Sequence, residues 1–352
     1  MRPASLALQN RLLPGVSRTF ALTIPQLPMP LRPAITNAYL LCRIADTVED
    51  STAMAPDEKD AHYQRLLEGL SDPIAARKFS EALLDTRLVQ DPLERELIVQ
   101  TPGVLLAFGE LPVDQQRALR DCLTTMCNGM ANFERLKNPY GLEDSDSLRD
   151  YCYVAAGCVG EMLTRLFADI NPKIHAQREE LRRLSLAFGQ GLQLTNILKD
   201  VWDDRQRNIC WLPRDVFEAR GIDLRRTHDW QDHPGYRDGI RFLVAVAHHH
   251  LRQAQEYTLR IPASEVGIRR FCSWSIGMAL STLRNIADNP GFTAGEQVKI
   301  SRRRLRMIVA TNNLTVVNDM LLRGVFRLSC YRLPSVQEQE LGRLQAGHDG
   351  NA

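Results

Sequence analysis

Apolar residues recur along most of the chain at the spacing of an α-helix. In Leu66-Leu67-Leu70 and Leu181-Leu184-Phe188, side chains three or four positions apart share one face. Alternation with a period of two, which is typical of strands, is scarce. Clusters of Pro and Gly, such as Asn138-Pro139-Tyr140-Gly141, separate the periodic segments. The pattern therefore predicts an all-α protein of about ten helices.

The domain organisation follows from what interrupts this pattern. No Gly/Ser-rich linker divides the 352 residues, and no period of repeat length recurs, so a single domain is favoured over an array. We expect that domain to cover residues 1–342. The last ten residues, 343–352, are polar, and we expect them to form a frayed tail.

Composition excludes several functional classes. The chain has 44 Lys and Arg against 42 Asp and Glu, which is too even a balance for a broad nucleic-acid surface. Eight scattered cysteines without a CxxC pair indicate a reducing compartment. No apolar run reaches the length of a membrane span, and the first residues lack a signal-peptide core. The sequence predicts a cytoplasmic protein without nucleic-acid partners.

One predicted helix, residues 34–50, is apolar almost all round except for a single polar stripe. Tyr39, Arg43, Asp46 and Asp50 step by 4, 3 and 4 positions, which places them on one side of a helix, with Glu49 beside them. A helix with this composition is expected to be buried. The stripe should therefore carry its carboxylates into the protein interior.

A second predicted helix, residues 188–204, repeats this arrangement. Gln193, Asn196, Asp200 and Asp204 step by 3, 4 and 4 positions among apolar residues. Buried carboxylates are costly unless they are paired or bind a cation. A network of salt bridges with neighbouring Arg and Lys is one explanation, but it does not account for the neutral Asn196 and Gln193.

Carboxylate and amide oxygens together are the ligands that Mg²⁺ prefers. Mg²⁺ held by few carboxylates commonly binds with a phosphorylated substrate, so the two stripes predict a phosphate ester or diphosphate as substrate. No GxxxxGK[ST] loop is present, which disfavours a nucleotide hydrolase. Gly189-Gln190-Gly191 is interpreted as close helix packing. A diphosphate leaving an apolar organic group fits best.

Both acidic segments resemble the aspartate-rich motifs of the squalene and phytoene synthases. The first is Asp46-Thr47-Val48-Glu49-Asp50, and the second runs from Gln193 through Asn196, Lys199 and Asp200 to Asp204. Three more segments resemble the family in the same order along the chain. They are Ser17-Arg18-Thr19-Phe20-Ala21, Tyr151 to Gly160, and Trp211-Leu212-Pro213.

The resemblance implies an all-α isoprenoid synthase fold with a central apolar channel and a two-stage reaction. Two farnesyl diphosphates would condense to presqualene diphosphate, and NADPH would then reduce this intermediate to squalene. DTVED and the segment Gln297-Val298-Lys299-Ile300-Ser301 are closer to squalene synthases than to phytoene synthases. A reductive enzyme that uses Mg²⁺ and NADPH is therefore expected.

The resemblance also implies roles for individual residues. Metal binding would fall to Asp46, Glu49, Asp50, Asn196, Asp200 and Asp204. Diphosphate and cofactor phosphates would meet Arg18, Arg43, Lys199 and Lys299. The substrate would contact Ser17, Arg18, Phe20, Tyr39, Arg43, Gln193 and Asn196. Catalysis would involve Arg43, with Tyr39 or Tyr153 relaying a proton.

Three positions depart from the family pattern. Asn208-Ile209 stands where Gly-Arg is usual, so Arg207 would have to replace the arginine. Val154 occupies the place of the family's second aromatic residue, which leaves the roles of Tyr151 and Tyr153 open. Ser301 stands where a basic residue is common. A non-reductive enzyme that makes phytoene, dehydrosqualene or hydroxysqualene is the alternative, and a non-catalytic helical assembly protein is a second.

The run Arg302-Arg303-Arg304-Leu305-Arg306 is interpreted first as a solvated helix face. Its functional alternatives are NADPH phosphates and anionic lipid headgroups. Because the product would be a hydrocarbon, we expect peripheral contact with the inner face of a membrane. A monomer is favoured, and the sequence leaves the prenyl chain length open.

Overall fold

The computed structural model describes most of the chain, and every regular element in that part is helical. The described residues are 1–17, 19–29, 31–84, 88–226 and 230–336. Within them the only β-type pairing recorded is an isolated bridge between Leu142 and Pro213. The prediction of an all-α protein is confirmed. Arg18 and the predicted tail, 343–352, lie outside the described residues.

Seventeen α-helices are present in this part of the chain. In chain order they are α1 (Pro3–Val16), α2 (Phe20–Thr23), α3 (Arg32–Asp50), α4 (Pro56–Gly69), α5 (Pro73–Ala82), α6 (Pro92–Val99), α7 (Thr101–Gly109), α8 (Val113–Glu134), α9 (Ser145–Cys152), α10 (Cys158–Ile170), α11 (Pro172–His175), α12 (Arg178–Gln206), α13 (Arg214–Glu218), α14 (Pro234–Arg260), α15 (Val266–Asp288), α16 (Arg302–Thr315) and α17 (Asp319–Cys330). Short 3₁₀ segments lie at Ile24–Gln26, Trp230–Asp232 and Gly295–Val298, and a π-helix at Tyr153–Gly157.

The expected number of about ten helices was too low because several prolines begin helices instead of separating them. Pro56, Pro73 and Pro92 each stand in the first turn of a short helix. There a proline loses no hydrogen bond, since its missing N–H would have no partner within the helix. Each such proline therefore adds a helix that apolar periodicity alone does not separate.

The chain divides into two compact units. The first comprises residues 1–135 and 161–178, and the second comprises residues 136–160 and 179–352. This division leaves the single catalytic domain over residues 1–342 as a prediction, since one domain can contain two such units. None of the helices in the described ranges is long and apolar enough to cross a bilayer.

In the first unit, α3 lies among α1, α4, α6, α7 and α8. Its residues Leu40, Leu41, Ile44, Ala45 and Val48 are almost completely buried. Each leucine, isoleucine or valine buried in this way contributes roughly 1.5–3 kcal/mol of transfer free energy. This packing leaves one side of α3 for its polar stripe.

In the second unit, α14 and α15 pack along each other, and α12 carries the second acidic stripe. The buried face of α12 includes Leu184, Leu194, Leu198 and Val201. All eight cysteines of the chain are free thiols. As in α3, the apolar residues fix the orientation of the helix and thereby the side on which its acids stand.

Candidate active site

The stripe on α3 lies at the edge of the buried core rather than inside it. The side chains of Asp46 and Asp50 are 37% and 41% exposed. The expectation that the whole line of oxygens is buried was therefore wrong for these acids. Because the opposite sides of the helix take up the apolar contacts, the carboxylates keep access to solvent and to a ligand.

Arg43 is the centre of this cluster. Its guanidinium lies 3.7 Å from Asp46 Oδ2 and 3.9 Å from Asp50 Oδ2, and it also donates a hydrogen bond to Glu94. Burial lowers the pKa of Arg43, but the carboxylates of Asp46, Glu94 and Asp50 outweigh burial and leave it raised. Among the described side chains, one guanidinium thus contacts three carboxylates.

Glu94 was not identified from the sequence. It stands in the first turn of α6, 51 positions from Arg43, and its local pattern is that of an ordinary acid near a helix N-terminus. Only the packing of α6 against α3 brings the two side chains together. No spacing rule along the chain could have linked them.

Asp46 is affected both by partial burial, since its side chain is 37% exposed, and by the neighbouring carboxylates. Burial raises the pKa of Asp46 to about 7; Arg43 opposes this rise, and the carboxylates of Glu49, Asp50 and Glu94 add to it. At neutral pH, with no cation bound, the Asp46 carboxyl is therefore partly protonated and partly ionised. A bound cation would favour the ionised form.

Three residues expected to contact substrate lie together at the other end of the stripe. The Tyr39 hydroxyl donates to the Val16 carbonyl oxygen at 2.9 Å, and the Phe20 and Tyr39 ring centroids are 5.1 Å apart. The Phe20 backbone N–H donates to Ser17 Oγ at 2.9 Å. Burial raises the pKa of Tyr39 despite the opposing hydrogen bond with Ser17, so the phenol stays protonated at neutral pH.

The C-terminal turn of α3 is held by a buried lysine that sequence reasoning also missed. Lys59 Nζ donates to the Glu49 carbonyl oxygen at 2.6 Å and to Glu134 Oε2 at 2.9 Å. The Lys59 and Glu134 side chains are only 5% and 4% exposed. A positive charge at a helix C-terminus interacts favourably with the helix dipole, so Lys59 fixes the turn that carries Glu49 and Asp50.

The second stripe, on α12, is balanced differently. Lys199 Nζ lies 3.1 Å from Asp200 Oδ2, and Arg207 Nη2 lies 2.6 Å from Asp204 Oδ1. Burial raises the pKa of Asp200, an effect that Lys199 opposes and Asp203 reinforces. Asp204 is buried, whereas Gln193 is half-buried and Asn196 is exposed. The expectation of a fully buried stripe was therefore wrong for Asn196 and for Asp200, whose side chain is 38% exposed.

The departure from the family pattern at Asn208 has a structural explanation. Asn208 has φ of 59°, a left-handed conformation that Asn adopts more readily than most residues with a side chain. Its N–H donates to the Arg205 carbonyl oxygen, and the Ile209 N–H donates to that of Asp204, which closes a Schellman motif. Asn208 thus ends α12 as a glycine would. Arg207 stays close to the acidic stripe.

The central tyrosine segment forms the π-helix Tyr153–Gly157. A Cβ on Gly189 would lie 2.4 Å from the Ala156 carbonyl oxygen, and a Cβ on Gly191 3.1 Å from His250 Cβ. The interpretation of Gly189 and Gly191 as close helix packing is confirmed. π-Helical turns occur frequently at functional sites, and here the turn contains the half-buried Tyr153.

Two further matched segments are placed around this stripe. The Trp211 ring stacks on Tyr151 with centroids 3.8 Å apart. A Cβ on Gly295 would lie 3.4 Å from Asp203 Oδ2, so the 3₁₀ turn before Lys299 begins beside the acids of α12. Lys299 is exposed, with Nζ 3.8 Å from Glu296 Oε1, and can reach a ligand in solvent.

The donors on both helices suit a hard cation. In the described ranges, no three His, Cys, Asp or Glu side chains already converge as a metal-binding group. Mg²⁺ does not require such a group, because it keeps several waters and commonly takes one or two carboxylates plus substrate phosphates. The partly exposed carboxylates of Asp46 and Asp50 fit that mode of binding.

Comparison with known proteins identifies relatives of the chain. A family model described as squalene/phytoene synthase matches residues 13–304. A squalene synthase of Gibberella zeae is 27% identical over 331 residues, which is 89% of this chain and 66% of that protein. The chain thus spans about two thirds of that relative's length.

Solved structures give the same result. A squalene synthase, TcSQS, in complex with a ligand superposes with a TM-score of 0.72 at 25% identity, covering 97% of this chain and 96% of that one. A dehydrosqualene synthase superposes with a TM-score of 0.63 at 21% identity, covering 87% of this chain and 94% of that one. The second likeness concerns the fold alone.

Proposed function

Because the chain belongs to the squalene/phytoene synthase family, we propose that it is a squalene synthase that uses Mg²⁺ and NADPH. Two farnesyl diphosphates would condense head to head to presqualene diphosphate, and a hydride from NADPH would complete the conversion to squalene. The observation that carries this proposal is the cluster on α3, where Arg43 faces Asp46, Asp50 and Glu94. It combines a phosphate-binding guanidinium with an excess of carboxylate oxygen.

In the proposed site, one set of side chains would bind Mg²⁺ and a second set would bind the diphosphates. Mg²⁺ would be held by Asp46, Glu49, Asp50, Asn196, Asp200 and Asp204, and when bound it would neutralise charge on the departing diphosphates. Arg43 and Lys199 would donate charge-assisted hydrogen bonds to the diphosphate oxygens, with Arg18 as a further donor. Each ionisation breaks a C–O bond, and these donors stabilise the negative charge that the leaving group acquires.

The organic part of the substrate would meet the cluster of Ser17, Phe20 and Tyr39, together with Gln193. Aromatic faces at Phe20 and Tyr39 would stabilise cationic intermediates. One proton leaves when the cyclopropane ring closes, and Tyr39 or Tyr153 would relay it towards diphosphate oxygen. A Tyr39 phenol with a raised pKa suits a relay, because it both donates and accepts without ionising.

NADPH would be contacted through its phosphates by Lys299. The exposed ammonium of Lys299, weakly paired with Glu296 at 3.8 Å, is chemically suited to this role. The non-reductive alternative has a specific observation in its favour. Exposed Ser301 stands where many family members carry a basic residue, which reduces the positive charge available there. Dehydrosqualene, phytoene or hydroxysqualene would then be the product.

A product assay separates these possibilities. The purified enzyme is incubated with Mg²⁺ and either farnesyl or geranylgeranyl diphosphate, with and without NADPH, and the hydrocarbons are identified. Squalene formed only with NADPH would support the proposal. A product that NADPH does not change would contradict the reductive step, and consumption of geranylgeranyl diphosphate alone would contradict the chain length.

The alternative of a non-catalytic assembly protein predicts loss of the acidic stripes. Both stripes are complete, with Asp46, Asp50, Asp200 and Asp204 all present. Absence of any product from either diphosphate, in a folded protein supplied with Mg²⁺ and NADPH, would favour this alternative.

We also propose that the enzyme works in the cytoplasm. Its eight free thiols suit a reducing compartment. Squalene is a thirty-carbon hydrocarbon with little solubility in water, so its release into a membrane is part of the proposal.

A further inference from the structure

Helix α16 has a complete core face and a second apolar face that is exposed. Its inner side packs through Ile308, Leu305 and Val309 on Trp274 and Met278 of α15. A Cβ on Gly277 would lie 2.7 Å from Ile308 Cγ2, so this contact is already close. The outer side nevertheless presents Met307, Leu314 and, just beyond the helix, Val317. Burial in the core does not explain these outer residues.

Helix α17 shows the same duplication. Leu322 and Phe326 fill its core side, whereas Met320, Leu321, Leu328 and Tyr331 point outward. Leu314, Met320 and Leu328 are 78%, 76% and 74% exposed. Single exposed apolar residues are normal, but a series along two packed helices indicates an interaction surface. We call Met307, Leu314, Val317, Met320, Leu321, Leu328 and Tyr331 the outer apolar surface.

The turn that carries this surface is fixed from beneath. Arg269 of α15 is 1% exposed and donates to the carbonyl oxygens of Ile261 and Val316 and to Asp319 Oδ1 at 2.7, 3.1 and 2.6 Å. Val316 ends the last turn of α16, and Asp319 begins α17. A buried charge with this many partners holds the turn in one arrangement, so the apolar residues are presented by a rigid support.

The same region concentrates the positive charge of the protein. Residues 301–336 contain seven Arg, one Asp and no Lys or Glu, a net charge of +6, whereas the whole chain has +2 and the remainder therefore −4. Arg303, Arg306 and Arg327 are exposed and form no ion pair with any other residue that the structure describes. They stand on the same helices as the outer apolar surface.

We propose that the outer apolar surface and these arginines dock the protein on an anionic lipid bilayer. Apolar side chains would enter the boundary between headgroups and acyl chains, and the arginines would meet lipid phosphates. Arginine suits this place because its stem packs on apolar groups while the guanidinium remains hydrated. The proposal deepens the proposed function by naming the surface that would contact the membrane into which a hydrocarbon product is released, and it rests on that function only for this purpose.

The positive charge around the outer apolar surface favours an anionic bilayer over other binding partners. A second copy docked through the same face would bring two surfaces of +6 together, which is unfavourable. Nucleic acid would pair with the arginines but would leave the exposed Leu and Met side chains without apolar partners. An anionic bilayer satisfies both components of the surface.

The test is sedimentation of the full chain with vesicles, without substrate. Binding is expected to vesicles of equal parts phosphatidylglycerol and phosphatidylcholine, to weaken in high salt, and to be absent with phosphatidylcholine alone. Arg303→Gln/Arg306→Gln/Arg327→Gln should lower the partition coefficient roughly a hundredfold, at about fivefold for each arginine. Leu314→Ser/Met320→Ser/Leu328→Ser should lower it by about tenfold or more.

A matched control replaces exposed apolar residues of the first unit, Ile74→Ser/Leu106→Ser/Val113→Ser, and should leave vesicle binding unchanged. Circular dichroism and turnover in detergent check that each variant is folded. Absence of binding to anionic vesicles, or equal binding by wild type and both surface variants, would overturn the proposal. So would a dimer that the apolar variant dissociates in the absence of vesicle binding. Vesicle binding by a protein that makes no squalene would uphold the surface and contradict only the proposed activity.

Discussion

The two acidic helices have a similar spacing of polar residues, but their carboxylates are paired differently with basic groups. On α3, one guanidinium at Arg43 faces the carboxylates of Asp46, Asp50 and Glu94. On α12, Asp200 lies beside Lys199 and Asp204 beside Arg207. In the part of the chain that the structure describes, three carboxylates on and beside α3 therefore share one guanidinium, whereas Asp200 and Asp204 on α12 each have a basic neighbour of their own. Similar sequence motifs thus give two helices whose carboxylates are paired in different ways.

This comparison predicts that substituting the two aspartates affects turnover alike but changes the stability of the metal-free protein unequally. Asp46→Asn and Asp200→Asn should each lower turnover by about a thousandfold or more, because each removes an oxygen that neutralises or positions the leaving diphosphates. Without Mg²⁺, Asp46→Asn should also stabilise the fold relative to Asp200→Asn, because it relieves carboxylate repulsion. Single-turnover rates in the presence of Mg²⁺ measure the effect on turnover. Urea unfolding in the presence of a chelator measures the effect on stability.

Glu96→Gln is the control for these variants, because Glu96 pairs with Arg11 at the surface. Turnover by Glu96→Gln should match that of wild type. If Asp200→Asn merely unfolded the protein, the stripe on α12 would be a structural ion-pair network and the proposed metal role would be wrong.

Substituting the basic residue that holds each helix should lower the free energy of unfolding by different amounts for α3 and α12. Lys59→Met leaves Glu134 charged and buried, so we expect a loss of about 3–5 kcal/mol in the free energy of unfolding. Arg207→Met at the end of α12 removes a partner that is 35% exposed from the buried Asp204, which keeps a further interaction, so a smaller loss of about 1–2 kcal/mol is expected. Denaturant titration compares the two losses, and equal losses would contradict the distinction.

The double variant Lys59→Met/Glu134→Leu distinguishes two roles of Lys59: its hydrogen bond to the end of α3 and its pairing with the buried carboxylate of Glu134. Replacing both members of the buried pair should recover most of the stability, but it cannot restore the hydrogen bond to the Glu49 carbonyl oxygen. We therefore expect a higher Mg²⁺ requirement for turnover in a well-folded double variant. An unchanged Mg²⁺ requirement would show that Lys59 only stabilises the fold.

The sequence predicted what depends on the period of a single helix. The steps from Tyr39 to Asp50 and from Gln193 to Asp204 place each set on one side, because an α-helix returns to the same face every three or four residues. The packing role of Gly189 and Gly191 also follows from local composition. The fold class followed from the same periodicity, whereas the family was indicated by the resemblance of its motifs to those of known synthases.

The sequence did not predict contacts that depend on packing between elements. Glu94 reaches Arg43 across 51 positions, and Lys59 reaches Glu49 and Glu134 from the next helix. The half-exposure of Asp46 and the exposure of Asn196 also depend on which neighbours cover a helix face. Hydrophobic periodicity gives the direction of a side chain but does not identify what lies against it.

Glu94 should tune the affinity of the α3 cluster for Mg²⁺. Glu94→Gln removes one negative charge and leaves the guanidinium of Arg43 to pair more strongly with Asp46 and Asp50. Both effects oppose metal binding, so we expect about a tenfold weaker Mg²⁺ affinity, or about 1.4 kcal/mol. The measurement is the Mg²⁺ concentration that gives half-maximal turnover, again with Glu96→Gln as the control. An unchanged or tighter Mg²⁺ affinity would contradict this role.

The last prediction concerns the pH dependence of stability in the metal-free protein. The pKa of Asp46 is raised to about 7 in the folded state, against about 3.9 in an unfolded chain. Between these values the folded state binds more protons, so its stability falls as pH rises from about 4 to 7. Because the side chain is 37% exposed, solvent screening should limit the loss to about 1–2 kcal/mol.

Comparison with Asp46→Asn isolates this contribution, since the other titrating groups are common to both proteins. In chelator, the unfolding free energy of wild type should fall relative to that of the variant as pH rises from 5 to 7.5, and saturating Mg²⁺ at the higher pH should reverse the change. Asp200→Asn should show a smaller trend, because Lys199 at 3.1 Å opposes the rise in the pKa of Asp200. A constant difference across this pH range would mean that Arg43 already compensates Asp46, and the contrast between the two helices would disappear.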